Sequence, residues 1–579
     1  MRKFLEMNAE KWQPSITRKG AAQNPAMSEF CIPEKLILLC IEKYHQHSQL
    51  WKGLSKLFDT KPVKPADGSN ILGVFLSPYP SHLIVHMSVV KALAEKGHNV
   101  TVVSLFKPKV NHKNITNIII PPLEKHLPSY QAAVARLANS KTTVIELFGS
   151  QLTSNRVLMD MQFDALLDKR FVELYENKDN KFDVAILGFF MNDFKLVVGA
   201  KFNCPIIVSW MNQPMEVVDD LMGNPTELSY LPTMEISMKV GEVMDFPTRV
   251  RNFFLTTVLK GIRLMLDLTT EMHYNKFVAA DPTLPSYEFM KRNISIMFCN
   301  SHYSEGPIRP LTPATILIGG IQIKEKPDPL AKDLSKLLSA SQEHGAILFS
   351  LGSYITDSHV KPETLQIIYK VLSSLKQNVI WKWENLAHTP GNASNILYQK
   401  WLPQDDILAH PNLRLFITHA GKGGIAEATY HGVPMVALPL FVDQPGNAQR
   451  MVQAGYGIQL DIKKLTERIF RNAISEVLTN PSYVNKVKAF SRLYRDRPLS
   501  AKESVVYWTE YVIRHRGAAH LQSPLVKMNY IQSANLDVYL LLIGALFIIL
   551  KLLQLAWRYV KKFNLFGYKY SEVQKSKSE

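Results

Sequence analysis

Between Leu413 and Leu440 the chain reads LRLFITHAGKGGIAEATYHGVPMVALPL. Leu413 to Thr418 is a short apolar run suited to a buried strand, and His419 to Gly424 is a turn of small residues. Ile425 to Tyr430 begins a helix, and Pro434 to Leu440 returns as a strand almost at once. This order predicts a βαβ unit in an open, parallel α/β sheet, whose ligand crevice lies outside the carboxyl ends of the strands. Backbone N–H groups at the helix start would then face an anion, and a diphosphate is the natural guest.

Two readings of that turn compete. Gly421, Gly423 and Ala426 satisfy the G-x-G-x-x-G/A dinucleotide fingerprint, and Asp443 stands after the next strand where a ribose-binding acid would sit. A nicotinamide dehydrogenase could be built on those four. The surroundings are more specific: Trp401 and Gln404 precede the strand, His419 ends it, Glu427 lies in the helix, and Asp443 and Gln444 follow. A dehydrogenase has no need for this set. A nucleotide sugar needs an aromatic face for its base, acceptors for ribose hydroxyls, donors for two phosphates and polar groups for the sugar.

From Trp401 to Gln444 the sequence closely resembles the signature of the UDP-glycosyltransferase family, in its membrane-bound animal branch with insect-like wording. The resemblance implies two Rossmann-like domains facing a cleft, the GT-B type of glycosyltransferase fold, with a C-terminal transmembrane helix. It implies that Trp401 stacks on uracil and that Gln404 helps hold the uridine. His419 and the amides after it, through Gly421, Gly423 and Gly424, would hold the diphosphate. Glu427 would take the ribose hydroxyls, and Asp443 with Gln444 the sugar. Many relatives carry Asn or Ser where Gly423 and Gly424 stand, so backbone contacts are expected there in place of side-chain ones.

A chain of 579 residues is too long for one ordinary core, so at least two domains are expected. The net charge of +17 raises the question of nucleic acid, but no long Arg/Lys run interleaved with aromatics and no zinc-finger spacing accompanies it. An anionic donor and an anionic membrane surface are the simpler partners. Four cysteines, Cys31, Cys40, Cys204 and Cys299, show neither CxxC pairing nor a disulfide framework, and metal binding through them is not expected.

Residues 1–70 form an atypical N-terminal extension: Leu36 to Ile41 is apolar but flanked by charges, poor for a signal peptide, where the family normally begins with one. From Ile71 to Leu76 a strand-like run leads into the loop SPYPSH and a helical pattern from Leu83 to Lys96. His82 sits in that loop. Read blandly it is a capping or exposed histidine; by resemblance it is the general base. Relatives place an acidic partner for it after the run FDVAILGFF, and Gly188 stands at that position here. Asp193, at the next helix start, is the nearest substitute, although a carboxylate there also suits the helix dipole. Met215 to Leu268 is long, Met- and Phe-rich and less regular, readable as core or as the wall of a lipophilic acceptor pocket.

The acceptor-binding domain is thus assigned to 71–323, a linker to 324–332 (KEKPDPLAK covers it), and the UDP-sugar domain with its closing helices to 333–520. In the second domain Ser353, after the strand-like run Ala346 to Leu351, corresponds to a family segment that approaches the diphosphate. A membrane span is assigned to 536–557 and a basic tail to 558–579. Arg558, Lys561, Lys562 and Lys569 put that tail in the cytoplasm and the body in the lumen. Lys575 and Lys577 resemble a dilysine retrieval signal, so the endoplasmic reticulum membrane is the expected location. Asn99, Asn114, Asn293 and Asn392 open N-x-S/T sequons, of which Asn114 and Asn392 lie in polar loops.

The expected activity is transfer of a hexosyl group, glucose before glucuronate, from a UDP-sugar to a hydroxyl of a small lipophilic acceptor, with inversion. UDP-sugar serves as co-substrate, no separate cofactor or metal is expected, and homo-oligomerisation stays open. The alternative is a membrane-anchored binder of nucleotide sugar or lipophile without turnover, motivated by Gly188.

Overall fold

The computed structural model describes residues 68–132, 144–190, 192–233, 236, 238–239, 241–352, 360–440 and 443–575, all within the compact unit Lys64–Glu579. Residues 1–67 of the leading extension, Ser353 and Lys577 lie outside the described residues, and Asn70, assigned to that extension, opens the first strand. The first sheet has seven parallel strands: β1 (Asn70–Phe75), β2 (Asn99–Ser104), β3 (Ile115–Ile119), β4 (Val184–Gly188), β5 (Ile206–Trp210), β6 (Ile294–Cys299) and β7 (Thr315–Leu317). Their order is β3-β2-β1-β4-β5-β6-β7. The second has six: β8 (Ala346–Ser350), β9 (Asn378–Lys382), β10 (Ile396–Gln399), β11 (Leu413–Thr418), β12 (Met435–Ala437) and β13 (Gly457–Gln459), ordered β10-β9-β8-β11-β12-β13. The central strands β4, β5, β6 and β8 are buried along their whole length, as apolar runs covered by helices on both faces must be.

Both sheets reverse direction in the same place. The chain runs outward through β1, β2 and β3, then returns to lay β4 on the other side of β1; in the second sheet it runs through β8, β9 and β10, then returns to lay β11 beside β8. Ligands of open α/β sheets bind at such switch points, beyond the carboxyl ends of the two strands. The loops after β1 and β4, and those after β8 and β11, are therefore where function is to be sought.

Seven helices matter for the site: α1 (Pro80–Glu95), α2 (Phe246–Ala280), α3 (Lys422–His431), α4 (Gln444–Ala454), α5 (Pro481–Arg495), α6 (Ala501–Arg514) and α7 (Leu536–Lys575). Helix α6 starts with a reciprocal capping box between Ser500 and Glu503 and returns to the first domain, where Val505, Val512 and Ile513 join the core of the first sheet. The segment between the domains is pinned: Lys324 donates through Nζ to Asp406 at 2.6 Å, and its backbone N–H donates to Asp405 at 2.8 Å.

Helix α2 differs from the irregular wall expected over Met215 to Leu268. It is a continuous 35-residue helix, opened by an Asp245 cap on the Thr248 N–H, and its pattern is inverted. Asn252, Thr256, Arg263, Thr270 and His273 are buried, while Phe253, Phe254, Leu264, Met265, Leu268 and Met272 are exposed. A polar stripe turned inward, with Asn252, Arg263 and His273 each bonded, hides the helical period from a hydrophobicity pattern. Helix α7 contains one stretch, Leu536–Lys562, long and apolar enough to cross a membrane.

Candidate functional site

Register brings together residues expected to hold the donor. Thr418, the last residue of β11, pairs with Ser350 on one side and Ala437 on the other, so the loops leaving β8, β11 and β12 start side by side. His419 leaves β11 directly into this crevice. Its ring is wedged between two glycines: a Cβ on Gly352 would come within 2.6 Å of it, and one on Gly421 within 2.4 Å. Burial pushes the ring down to about 4, so it is neutral near pH 7, and its Nδ1 is buried with no hydrogen-bond partner.

The turn itself is set by Ala420, which adopts φ 63°, the left-handed region that disfavours a Cβ. Gly421 has φ −65° and is the N-cap of α3 with no side chain capping the helix, which leaves the first-turn amides without a side-chain acceptor. Gly421 is thus required for room beside His419 and not for its own conformation. A Cβ on Gly423 would meet nothing within 4 Å, while one on Gly424 would touch Phe416 and Gln404 at 3.3 and 3.4 Å. The open face over Gly423 is where an anion can approach the amides.

Around this turn stand the polar residues singled out in the sequence. Gln404 donates to Glu427 at 2.6 Å, so the two are already joined. Burial, with Asp405 and Asp406 nearby, raises the Glu427 carboxyl to about 8. Asp443 is also raised by burial, and accepts from Asn447 at 2.7 Å; Gln444 is buried and accepts from the Leu440 N–H at 2.8 Å. Trp401, beyond β10, is exposed and carries the Lys109 ammonium 3.1 Å above its ring centre. A base stacking on that face would displace Lys109.

Lys109 belongs to the loop after β2, and Glu305, in the loop after β6, accepts from Lys422 of α3 at 2.6 Å. Trp401 and Lys422 follow β10 and β11. Both contacts therefore join loops at carboxyl strand ends of one sheet to loops at carboxyl strand ends of the other, which turns the two switch points towards a shared cleft.

On the first sheet, His82 lies in the opening turn of α1, its Nδ1 hydrogen-bonded to Ser77 Oγ at 2.7 Å and its ring against Tyr79 and Phe190. Burial pushes the ring down to about 3, so it is a neutral imidazole at pH 7. Asp193 does not serve it. That carboxylate is buried and bonded to the guanidinium of Arg263, which also holds Asp267. The physical reason is charge balance: a guanidinium carried inward by α2 must be paired, and Asp193 is the buried acid beside it.

Several residues at the site went unmarked in the sequence: Ser77, His86, Lys109 and the pair Lys422 and Glu305. Ser77 opens the SPYPSH loop, and His86 follows His82 at the four-residue spacing that puts two side chains on one helix face. The cross-domain pairs leave no local trace. Among the described residues no group of three His, Cys, Asp or Glu side chains is disposed to hold a metal ion.

Known proteins resemble this chain over most of its length. The family model described as "UDP-glucoronosyl and UDP-glucosyl transferase" matches residues 74–569. UDP-glycosyltransferase UGT5 of Dactylopius coccus is 34% identical over 84% of this chain and 90% of its own length. UDP-glucosyltransferase 2 of the same organism is 33% identical over 82% and 90%. UDP-glucuronosyltransferase 1A6 of Mus musculus is 30% identical over 84% and 88%. Among solved structures, a UDP-glucosyltransferase from Polygonum tinctorium aligns over 78% of this chain and 99% of its own, at 15% identity and a TM-score of 0.49.

Proposed function

The chain belongs to the family of UDP-glucuronosyl and UDP-glucosyl transferases, and on that premise we propose that it moves glucose from UDP-glucose to a hydroxyl of a small lipophilic acceptor. In this reading uracil stacks on Trp401, Gln404 and Glu427 take the uridine, and the amides of Gly421 to Gly424 with His419 take the diphosphate. As UDP departs, negative charge grows on the β-phosphate, and donors already fixed in a shielded cleft stabilise it without reorganising. The acceptor oxygen attacks the anomeric carbon from the face opposite UDP, which inverts that centre, and His82 receives the proton.

One observation carries glucose over glucuronate. The two cations beside the proposed sugar-binding Asp443 already have acceptors: Lys422 is bonded to Glu305 and Arg450 to Asn447. A glucuronate carboxylate would have to share Lys422 with Glu305 and lie against the acids Asp443 and Glu305, whereas the neutral hydroxymethyl group of glucose meets no such repulsion. The apolar stretch Leu536–Lys562 serves as the membrane anchor, with Arg558, Lys561 and Lys562 on the cytoplasmic side and the two domains in the lumen of the endoplasmic reticulum.

The test is mass spectrometry of products formed by membranes containing the full chain, offered UDP-glucose and UDP-glucuronate in competition with a panel of phenols. Hexosides with a glucose mass are expected. Glucuronides would reverse the donor assignment, and donor retained with no UDP released on any acceptor would replace the transferase with a binder.

A further inference from the structure

At Gly188, the position where the family resemblance expects an acidic partner for His82, the space for a side chain is filled by another ring. Gly188 ends β4 next to β1, and a Cβ there would lie 2.5 Å from Nε2 of His86. The His86 imidazole is stacked on Phe75 with ring centres 4.5 Å apart, and its Nδ1 is hydrogen-bonded to Ser209 at 3.0 Å, so it is held in that space from two sides. Its Nε2 is buried and unpartnered. The carbonyl of Gly188 accepts from the buried ammonium of Lys195. Among the described residues the titratable groups around His82 are Tyr79 in its own loop, Tyr130 beyond it, His86 on the same helix and Lys195 after β4. None of these is an acid that could carry negative charge near neutral pH. The hydrogen-bond partner of His82 is the hydroxyl of Ser77, itself buried.

The geometry points to a base that works without a carboxylate: Ser77 positions His82, and the enzyme therefore selects acceptors with acidic hydroxyls, phenols and enols, over aliphatic alcohols. This rests on the reading of His82 given above. In the step, the acceptor O–C1 bond forms, the bond from C1 to the diphosphate oxygen breaks, and the electron pair leaves with UDP. The acceptor proton passes to Nε2 of His82, or has already left to solvent. For Nε2 to accept it, Nδ1 must carry the ring hydrogen and donate it to Ser77 Oγ. A hydroxyl can accept that hydrogen and holds the ring's direction, but unlike a carboxylate it neither fixes the tautomer nor supplies charge to stabilise the imidazolium. The ring's lowered basicity has the same origin, burial with no opposing charge. A base of this kind cannot draw much of a proton from an alcohol, while a phenol, with a pKa of about 10 or lower when substituted, gives it up on its own.

The experiment measures kcat/KM of the full chain in membranes against substituted phenols whose pKa values run from below to above the assay pH, with matched benzyl alcohols. We expect the rate to fall steadily as phenol pKa rises above the assay pH, and the alcohols to be slower by at least about a hundredfold. For each phenol the rate should climb with pH to that phenol's own pKa, with no plateau near the usual histidine value of about 6.5. Ser77→Ala should lower kcat while leaving KM for the UDP-sugar unchanged, and Ser77→Thr should restore it. The double variant Gly188→Asp with His86→Ala makes room for a carboxylate and should raise the alcohol rate towards the phenol rate. If it does not fold, the phenol series on the unaltered chain still decides. Equal turnover of phenols and alcohols, with a plateau above neutral pH, would overturn this proposal alone. Absence of all turnover with donor still bound would overturn the transferase reading and this proposal with it.

Discussion

The two switch points of this molecule are built alike and specified differently. Each is a strand, a loop and a helix start at a place where the strand order reverses, and each faces the same cleft. On the second sheet the work falls to backbone: an uncapped helix start, a left-handed Ala420, and two glycines that make room for His419. All of it but Gly352, which follows β8, comes from nearby sequence. On the first sheet it falls to side chains drawn from the loop after β1, from α1 and from β5: Ser77 bonds His82, and His86, bonded to Ser209, fills the space over Gly188. A backbone site needs a local pattern to persist, whereas a side-chain site can be rewired by two substitutions that compensate each other. Gly188 and His86 are such a pair: the side chain missing at one is the space occupied by the other.

The largest expected effect lies on the side-chain edge. For phenols still protonated at the assay pH, His82→Ala should lower kcat by about a hundredfold, the low end of what a general base contributes, with KM for the UDP-sugar little changed. Full turnover by that variant would dissolve the contrast, since the first sheet would then contribute only a surface for the acceptor. A smaller effect is expected on the donor edge. The Glu427 carboxyl is raised from its ordinary 4.5 to about 8, so between those values the folded chain binds more proton than the unfolded one. Stability should therefore fall as pH rises through that window and level off above about 8. Glu427→Gln keeps the bond to Gln404 and removes the titration, so Tm at pH 5 minus Tm at pH 9 should shrink in the variant. Identical differences in both proteins would show that the buried acid on this edge is not the one under strain.

What could be read from sequence follows the same division. The parallel strands announced themselves as apolar runs such as Ala346 to Leu351, because a strand covered on both faces has no polar side to show. The α/β class followed from their alternation with helical stretches, and the pair of domains from the chain's length and the family resemblance. The stretch Trp401 to Gln444 was readable because its residues follow one another, and register at Thr418 then gathers the loops on either side of it. Asp193 was misread as a partner for His82 because its actual partner, Arg263, lies 70 residues away on a helix whose buried face is polar. No local pattern distinguishes a carboxylate at a helix start from one engaged by a distant guanidinium. Ser77 and His86 were in plain view in the SPYPSH loop and on α1, but their meaning depends on Gly188, which becomes their neighbour only when β4 is laid beside β1.

The smallest effect probes the backbone edge where sequence and structure part most narrowly. The turn holds Gly421, Gly423 and Gly424, yet the residue with positive φ is Ala420. Holding an L-residue in the left-handed region costs about 1–2 kcal/mol, and Ala420→Gly would remove that cost. Against it stand the loss of one fully buried methyl, about 0.8 kcal/mol, and the greater freedom of glycine in the unfolded chain, about 0.5–1 kcal/mol. The terms nearly cancel, so Tm should move by no more than a few degrees in either direction. The informative quantity is donor affinity. Ala420 carries its strain while its carbonyl accepts from Asn447 and its N–H donates to Thr418, so the turn is clamped at both ends. If that clamp presents the α3 amides to the diphosphate, glycine at 420 should loosen it and raise KM for UDP-sugar several-fold at nearly constant Tm, without altering the acceptor pKa dependence that belongs to the other sheet. A change in both together would mean that the two edges are coupled through Lys422 and Glu305, and that the division drawn between them holds for their construction but not for their energetics.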